Sequence, residues 1–425
     1  TAETGSGTVY GGVIAGKLLG GVISNVIIIG TFNITGGVVY AGGVAGISVG
    51  GEIYDTFSIV NVKVIAEEKA TVGGIVGRSN NTKMGGTVKV QSGSQEIEYT
   101  KAIYALGRVE AESVSAEIGA IAATGTLADG SSDVYAVKDN AYSNGQITNN
   151  SVSGAINMVT FDDDGMRNTT FSDGTNVFNK VFVSDKLYYL EGLGRSTDKF
   201  KVTTAEEFKK IEHMLYAHYN IANDIEFSDE NPSTAFRTIG YGLKFTGSID
   251  GKNKSSWSAE EGTLSSLMNV TDALVYDNAG SITDLGINVY YNRTVLRGET
   301  LTFGAIAVIN SSGTLRNVTV SGEIDIVGAD KYDTTVIVSG FVGKGLGGMF
   351  ESDSKVQNSI SGLAITVRNV GMVYAGGYVG KVDGLMTLSY GIGNGTLDIN
   401  DCGTVYAGTI VGAAYRKNEW SSLEE

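Results

Sequence analysis

The sequence predicts an all-β chain wound into a right-handed parallel β-helix, and three observations favour this fold. A short phrase recurs, mostly at intervals of about 31 to 37 residues and once at 45, within the range typical of solenoids. Inside each period, β-branched residues alternate with small or polar ones, which indicates strands. The 425 residues include 60 glycines and only one proline. Because proline has no backbone N–H, its scarcity leaves hydrogen-bond donors available for long β-ladders. Parallel crossovers are right-handed in about 98% of cases, which sets the expected hand.

The repeated phrase is marked by a glycine before a short apolar strand. The marker residues are Gly12, Gly43, Gly74, Gly119, Gly154, Gly304, Gly340, Gly377 and Gly408. In copies such as GGVAG and GGYVG, a second glycine closes the strand, whereas IGAIAA and FGAIAV lack it. Each period holds about three short strands separated by Gly, Asn, Ser or Asp turns. Three strands per turn of about 30 residues describe one coil of a parallel β-helix.

A tyrosine recurs just before several of these glycines. Tyr10 and Tyr40 lie 30 residues apart. Tyr374 and Tyr406 lie 32 residues apart, so each pair is predicted to occupy neighbouring coils, one ring above the other. Because the valine before each tyrosine is expected to face inward, strand alternation turns the tyrosines outward. The rings form either a stabilising ladder or a strip on which sugars stack, and they are our candidate ligand-binding residues.

A break in the repeat divides the chain into two predicted blocks. Residues 161–200 are polar, irregular and rich in turn residues. We therefore expect a first β-helix block over residues 1–160, an irregular connection, and a second β-helix block over residues 201–425. The alternative is one continuous solenoid that carries this segment as a side insertion.

The second block opens with the one convincing helical pattern, at residues 203–219. Thr203 is predicted to be the N-cap and Glu206 the N3 residue of a capping box. An apolar stripe follows at positions 208, 211 and 215. A helix at this point can cover the unpaired first coil of a solenoid, which would otherwise recruit other chains.

The sequence around this helix resembles the entry segment of bacterial surface proteins with GLUG-type repeats. In that family a short helix leads to a Y-x-L-x-N-D-I-D strand, then to P-I-G and F-x-G-x-x-D-G strands. The matching positions are Tyr219, Asn223, Asp224, Ile225, Ile239, Gly240, Phe245, Gly247, Asp250 and Gly251. GGIVG at 73–77 and GGYVG at 376–380 are similar to the repeat signature. The resemblance implies a right-handed parallel β-helix on a bacterial cell surface, also found as the non-catalytic arm of streptococcal immunoglobulin A metallopeptidases.

The composition argues against several kinds of partner. A formal net charge of −15 repels a phosphate backbone, so we expect no nucleic acid. No apolar run approaches about 20 residues, so we expect no membrane insertion within this chain. Cys402, the single cysteine, cannot form an internal disulfide. The chain begins at Thr1 with no leader pattern, from which we expect a mature product or an excised fragment.

No motif predicts catalysis, so we expect no catalytic residue and no bound metal or other cofactor. His213 and His218 are five residues apart, which does not fit the HExxH spacing, and both are expected to be exposed. Polysaccharide-processing β-helices use clustered carboxylates. Asp129 and Asp133 form one such cluster, which we interpret as solvated loop acids.

A second acidic cluster is the FDDDG stretch at 161–165. We interpret Asp162, Asp163 and Asp164 as solvated loop acids too. Calcium is conceivable at Asp162 and Asp164, because hard cations prefer oxygen ligands, although the EF-hand spacing is absent.

These observations lead to three functional hypotheses. The leading one is a non-enzymatic protein of the cell surface or the extracellular space: a rigid β-helical stalk or adhesin module that binds a glycan or a host surface protein. Its ligands would meet the tyrosines or the irregular stretches at 160–200 and 256–300. The second is a filament-forming subunit whose solenoid ends stack head to tail. The third is a polysaccharide-processing enzyme with converging carboxylates.

Overall fold

The computed structural model describes residues 2–3, 7–92, 95–137, 140–143, 146–147, 156–159, 190–251, 264–351, 358–388 and 391–415. Over these residues, parallel sheets form a β-solenoid of about ten turns with one short helix, so the predicted fold class is confirmed. The chain divides into two compact units, Thr1–Tyr189 and Leu190–Glu425.

The first unit is built from short strands and a few long strands that continue around a corner. They are β1 (Ala2–Glu3), β2 (Thr8–Gly12), β3 (Ala15–Leu19), β4 (Val22–Gly42), β5 (Ala45–Val49), β6 (Glu52–Gly73), β7 (Val76–Met84), β8 (Thr87–Ser92), β9 (Gln95–Thr100), β10 (Ile103–Ala105), β11 (Val109–Gly119), β12 (Ala122–Leu127), β13 (Val134–Val137), β14 (Ala141–Ser143), β15 (Gln146–Ile147) and β16 (Ile156–Val159).

The second unit adds the helical segment. Its elements are β17 (Phe200–Val202), the α-helix α1 (Ala205–Lys209), the 3₁₀ helix η1 (Lys210–His213), β18 (His218–Ile221), β19 (Ile225–Glu226), β20 (Ile239–Phe245), β21 (Ser248–Asp250), β22 (Ser265–Val270), β23 (Val275–Asn278), β24 (Ser281–Val295), β25 (Thr300–Gly304), β26 (Ala307–Asn310), β27 (Thr314–Gly328), β28 (Thr335–Ser339), β29 (Val342–Gly345), β30 (Met349–Glu351), β31 (Asn358–Ile360), β32 (Ala364–Arg368), β33 (Met372–Gly376), β34 (Val379–Val382), β35 (Thr387–Leu388), β36 (Gly391–Gly393), β37 (Thr396–Asn400), β38 (Thr404–Gly408) and β39 (Val411–Ala414).

Successive coils of the first unit are hydrogen-bonded in parallel register. Gly12 pairs with Gly42, and Gly42 pairs with Gly73, at steps of 30 and 31 residues. The next step is longer, because Gly73 pairs with Gly119. The extra residues form the antiparallel hairpin of β8 and β9, which lies between two coils along the chain. This hairpin explains the long interval of 45 residues in the sequence repeat.

The register differs from the predicted repeat by one residue at the glycine doublets. The first glycine of the pairs 42–43 and 73–74 stands in line with Gly12, and the first of 376–377 stands in line with Gly408. The prediction used the second glycine of each pair. The first glycine of each doublet ends a strand of one face, or wall, of the solenoid, and the second lies at the turn that follows. Both lack a side chain, so the residue types do not show which glycine ends the strand.

The predicted repeat at Gly154 is wrong for the strand that follows it. Ile156 pairs with Val134, and Val134 pairs with Ile103, in a wall other than the one that carries Gly119. Gly154 itself lies outside the described residues. A short apolar run such as SGAIN fits the strands of any wall, so its letters do not identify which one it joins.

The second unit gains a third wall part of the way along. One wall contains β20, β23, β26, β29, β34 and β39, and a shorter one contains β25, β28, β33 and β38. The coil before β25 runs from Val270 to Val275 with no strand between them, whereas the next coil continues β24 to Val295 before turning into β25. This change in coil length explains why residues 264–300 follow no clear repeat in the sequence, whereas residues 256–263 lie outside the described residues.

Two buried asparagines in the core are hydrogen-bonded to each other along the stacking direction. Asn278 and Asn310 are fully buried, and the Nδ2 of Asn278 donates to the Oδ1 of Asn310 at 2.8 Å. The Nδ2 of Asn310 donates to the carbonyls of Gly313 and Gly347 at 3.1 and 2.7 Å. Since a buried amide is costly without partners, this ladder favours one register over its neighbours.

The helix is shorter than predicted and begins one residue later. Its N-cap is Thr204, whose Oγ1 accepts from the backbone N–H of Glu207 at 3.2 Å. The Oε2 of Glu207 accepts from both the N–H and the hydroxyl of Thr203, each at 2.7 Å. The N-cap predicted at Thr203 is therefore displaced by one residue, and the carboxylate of Glu207 bonds the residue before the cap, so a strict capping box is not formed.

The predicted helix is also wrong beyond position 213, because His218–Ile221 is strand β18. Tyr219 pairs with Ile249 of the next coil, and this tertiary pairing overrides the helical pattern. The predicted apolar stripe at 208, 211 and 215 is buried, as expected. Phe208 packs on Phe227 with a centroid distance of 5.1 Å.

The glycine that closes the repeated phrase lets two consecutive strands come into backbone contact. A Cβ on Gly16 would lie 2.7 Å from the carbonyl oxygen of Tyr10. A Cβ on Gly380 would lie 2.9 Å from the backbone nitrogen of Val338, in the coil below. No side chain fits at such distances, so the strand that contains Gly16 stays in close contact with the strand of Tyr10, and the strand that contains Gly380 with the preceding coil.

We expect Gly46→Ala to destabilise the first unit by about 1–3 kcal/mol, the usual cost of overpacking. The new Cβ would lie 2.7 Å from the oxygen of Gly16 and 2.8 Å from that of Tyr40, both backbone atoms that cannot step aside. The free energy of unfolding in urea measures the change.

Gly21→Ala is the matched control, because its nearest neighbour is the end of the Leu18 side chain at 3.0 Å. This variant should stay within about 0.5 kcal/mol of the parent. Equal effects of the two substitutions would show that the closing glycine is not sterically required.

Candidate functional site: two tyrosine strips

The tyrosines predicted to be vertical neighbours stack on each other. Tyr10 pairs in register with Tyr40, and their ring centroids lie 5.5 Å apart with planes 10° from parallel. Tyr374 pairs with Tyr406, at 5.0 Å and 7°. The four residues thus form two pairs, one in each unit. Their rings point away from the core, because the preceding valines, such as Val373, point into it.

A lysine stands beside each tyrosine pair, seven residues after one of its tyrosines. The Nζ of Lys17 lies 3.8 Å from the ring centroid of Tyr10, and the Nζ of Lys381 lies 5.3 Å from that of Tyr374. The strand contact at the closing glycine brings these two positions together. A cation over an exposed ring contributes about 0.5–1 kcal/mol.

In the second unit, further polar side chains complete what we name the carboxy-terminal strip. It consists of Tyr374, Tyr406, Tyr415, Lys344, Lys381 and Asp383. Lys381 also lies 5.0 Å from the ring centroid of Tyr415, and it stands in register with Lys344. The carboxylate of Asp383 is 3.1 Å from the Nζ of Lys344 and 3.2 Å from that of Lys381. Two cations therefore share one carboxylate.

The surroundings shift the pKa of two groups in the strip, Asp383 and Tyr374. Burial opposes ionisation of Asp383, but the hydrogen bonds and charges of Lys344 and Lys381 outweigh it and lower the pKa of this carboxyl. Burial, followed by a hydrogen bond to Tyr415, raises the pKa of the Tyr374 phenol. These shifts favour the carboxylate form of Asp383 and the neutral phenol of Tyr374.

The first unit carries a smaller version, which we name the amino-terminal strip. It consists of Tyr10, Tyr40, Lys17 and Arg78. Lys17 pairs in register with Ile47, and Ile47 pairs with Arg78, so the two basic residues lie in one column, two coils apart. Both are exposed to solvent.

Stacking changes what the rings offer to a ligand. Parallel rings 5.0 Å apart lie in an offset stack, so each ring shields part of its neighbour's face. Tyr374 is accordingly half-buried, whereas Tyr406 is 42% exposed. The two facing ring surfaces of each pair cover one another, which leaves less aromatic face on which a sugar can stack.

The histidines are less exposed than predicted. His213 ends the 3₁₀ helix and is half-buried, and burial, with a smaller contribution from Lys210, lowers its pKa. His218 lies in β18, half-buried, with its Nδ1 2.8 Å from the hydroxyl of Ser248. The correction has a simple cause: the segment turns from helix to strand between the two residues, so both pack against the first coils.

The acidic clusters of the sequence are described in part. Asp129 is exposed, and Asp133 occupies a left-handed corner and accepts from the hydroxyl of Ser132 at 2.6 Å. Asp162 and Asp164, with the residues between and around them, lie outside the described residues. Within the described part of the chain, no three His, Cys, Asp or Glu side chains converge as a metal site would require.

Sequence reasoning missed the basic half of each strip. The signal was visible, because a lysine directly follows the closing glycine in VIAGK and GGYVGK. Its meaning depends on the contact of two consecutive strands, which the alternation pattern does not show. Tyr415 was missed for another reason: it follows the last recognisable phrase and has no tyrosine one period earlier.

We expect the stacked pair to be energetically coupled. A double-mutant cycle with Tyr374→Ala and Tyr406→Ala should give a coupling of about 0.5–1.5 kcal/mol in the free energy of unfolding. A control cycle that pairs Tyr374→Ala with Tyr332→Ala, a ring 84% exposed elsewhere in the unit, should be additive within about 0.5 kcal/mol. Additivity in both cycles would mean that the ladder does not stabilise the fold.

Comparisons of the chain with protein-family models, with curated proteins and with solved structures find no match. The resemblance to GLUG-type surface proteins therefore stays a prediction that rests on the motifs of the sequence. Among the described helices, none has the length and apolar character needed to cross a bilayer.

Proposed function

We propose that this chain is a non-enzymatic module of the extracellular space or cell surface, a rigid solenoid that binds a glycan or a host surface protein. The binding residues would be those of the carboxy-terminal and amino-terminal strips. The observation that carries the proposal is the repeated geometry: a stacked tyrosine pair with a lysine beside it occurs in each unit.

A structural ladder alone would need the rings but not the lysines. The ladder is stabilised by ring contacts along the axis, whereas Lys17 and Lys381 lie to the side of it. Polar groups arranged beside aromatic rings are typical of sites that bind saccharides and protein surfaces. The long register of the solenoid would hold these groups at fixed heights, so a ligand would meet an ordered surface.

The chemistry of the strip supports binding over catalysis. Glycoside hydrolysis uses two carboxyl groups, one of them kept protonated to act as an acid. The carboxy-terminal strip contains one carboxylate, Asp383, and its pKa is lowered by two lysines, so it is a poor proton donor. We therefore propose a binding role and not a polysaccharide-processing enzyme.

A glycan array probed with the parent chain, Tyr374→Ala and Tyr406→Ala tests this function. We expect the parent to bind a subset of glycans, and each substitution to weaken binding about tenfold or more, equivalent to about 1.4 kcal/mol. Loss of ring contact and of a hydroxyl donor is the physical reason.

Tyr332→Ala is the matched control, because it removes a more exposed tyrosine outside both strips and should leave binding unchanged. Released sugar products on the array would favour the enzyme. Binding that is equal in all four proteins would contradict a ligand role for the strip.

A specific observation favours self-association as a second function. In the last described coil, residues in line with core positions remain open: Val405 is 42% exposed and Ile410 54% exposed. They lie close to an apolar cavity of about 520 Å³, whose lining includes Ile365, Leu397 and Ile410. The phrase GTVYAGTIVG at 403–412 is identical to GTVYGGVIAG at 7–16 at seven of ten positions. We propose that the coil 7–19 of a second copy can extend the ladder there.

Sedimentation velocity over a concentration series tests this association. We expect the parent to form species longer than a monomer, and Val405→Lys to stay monomeric, because a buried lysine would oppose docking of another coil. Val114→Lys, at a strand position 90% exposed, is the control and should associate like the parent. A parent that is monomeric at every concentration would rule out end-to-end stacking.

A further inference from the structure

Both strips carry basic side chains, although the protein as a whole is acidic. The chain has a formal net charge of −15, yet Lys17 forms no ion pair with any residue that the structure describes, and Arg78 lies exposed in the same column. In the other strip, Lys344 and Lys381 outnumber their shared carboxylate by one. Charge of the sign opposite to that of the whole chain therefore recurs beside both tyrosine pairs.

The tyrosines add to this positive potential. An aromatic ring is negative on its face and positive at its edge. Because the rings of each pair stack, each ring shields part of the negative face of its partner. The lysines donate three hydrogen bonds each and accept none, and neutral phenols also donate. The exposed groups of both strips are thus mainly hydrogen-bond donors.

The spacing of the strip residues along the solenoid axis matches the repeat of a linear saccharide. Successive coils are separated by about 4.8 Å, and a pyranose ring with its glycosidic oxygen spans a similar length. Lys344 and Lys381 stand on successive coils of one column, and Tyr374 and Tyr406 stand on successive coils of the adjacent column. In a saccharide that runs along the axis, each sugar unit would therefore contact one coil of the solenoid.

We infer that the ligand of both strips is a linear anionic saccharide, whose carboxylate or sulfate groups are bound by the lysines and whose hydroxyls meet the tyrosines. This inference rests on the proposed binding function and specifies its ligand class. A nucleic acid is also a linear anion, so binding of DNA is one of the outcomes that the test below distinguishes.

Biolayer interferometry with the full chain tests the ligand class. The probes are oligogalacturonate, its carboxyl-reduced neutral form, dextran sulfate, dextran, and a single-stranded DNA oligomer. We expect the anionic saccharides to bind at least about tenfold more tightly than their neutral counterparts, and to weaken as salt rises from about 50 to about 200 mM. The two anionic probes distinguish a carboxylate ligand from a sulfate ligand.

Variants of the carboxy-terminal strip distinguish an effect of charge on ligand binding from an effect on the fold. Lys381→Ala should weaken anionic probes about tenfold, whereas Lys381→Arg should retain most of the affinity because it keeps the charge. Asp383→Asn should tighten anionic probes, since it removes the carboxylate that competes for both lysines. Neutral probes should be insensitive to all three. A merely structural role for these residues would not produce a gain of affinity in Asp383→Asn.

Two further variants keep the test decisive. Lys331→Ala removes an exposed lysine that pairs with Asp401 outside the strip, and it should behave like the parent. Lys17→Ala addresses the amino-terminal strip on its own, so failure of one Lys381 variant to fold does not end the test.

The outcomes distinguish the two levels of the proposal. Neutral saccharides that bind as tightly as anionic ones, with no response to the lysine variants, would overturn the ligand class and leave the binding function standing. DNA that binds more tightly than every saccharide would also overturn the class. No binding to any saccharide would overturn both this inference and a glycan-binding function.

Discussion

Parallel register between successive coils is the constraint on which the rest of this protein depends. The backbone donors and acceptors of a wall bond to the coils above and below, so residues at equal positions lie over one another. A slip of one residue would turn the core valines outward and separate Asn278 from Asn310. The same register that closes the core also stacks Tyr374 on Tyr406, so stability and the surface pattern have one origin.

A second, lateral constraint makes that pattern two-dimensional. The closing glycine removes the side chain that would separate two consecutive strands, and residues seven apart in sequence become neighbours across the surface. Register then copies this neighbour relation from one coil to the next. Lys381 beside Tyr374 and Lys17 beside Tyr10 are two results of this combination. Neither constraint alone would produce a strip with both aromatic and cationic columns.

The sequence predicted those features that depend on the equal spacing of similar residues along the chain. The parallel solenoid and the stacking of Tyr10 on Tyr40 follow directly from a period, because equal phase means equal height. It failed where a decision depends on a neighbour that is distant in the chain. Pairing of Tyr219 with Ile249 shortened the helix, and contact across the closing glycine placed Lys381. The register at the glycine doublets was predicted one residue too late, because two adjacent glycines cannot be told apart by residue type.

The hairpin of β8 and β9 shows how this architecture accommodates extra sequence. The chain leaves the wall after one coil, folds back on itself, and returns so that Ile103 still pairs with Thr56. The cost of closing such an excursion grows slowly with its length. An insertion between coils can therefore lengthen or shorten while the rows of aromatic and basic groups stay at their heights, so the excursion and the scaffold that carries the strips are structurally separable.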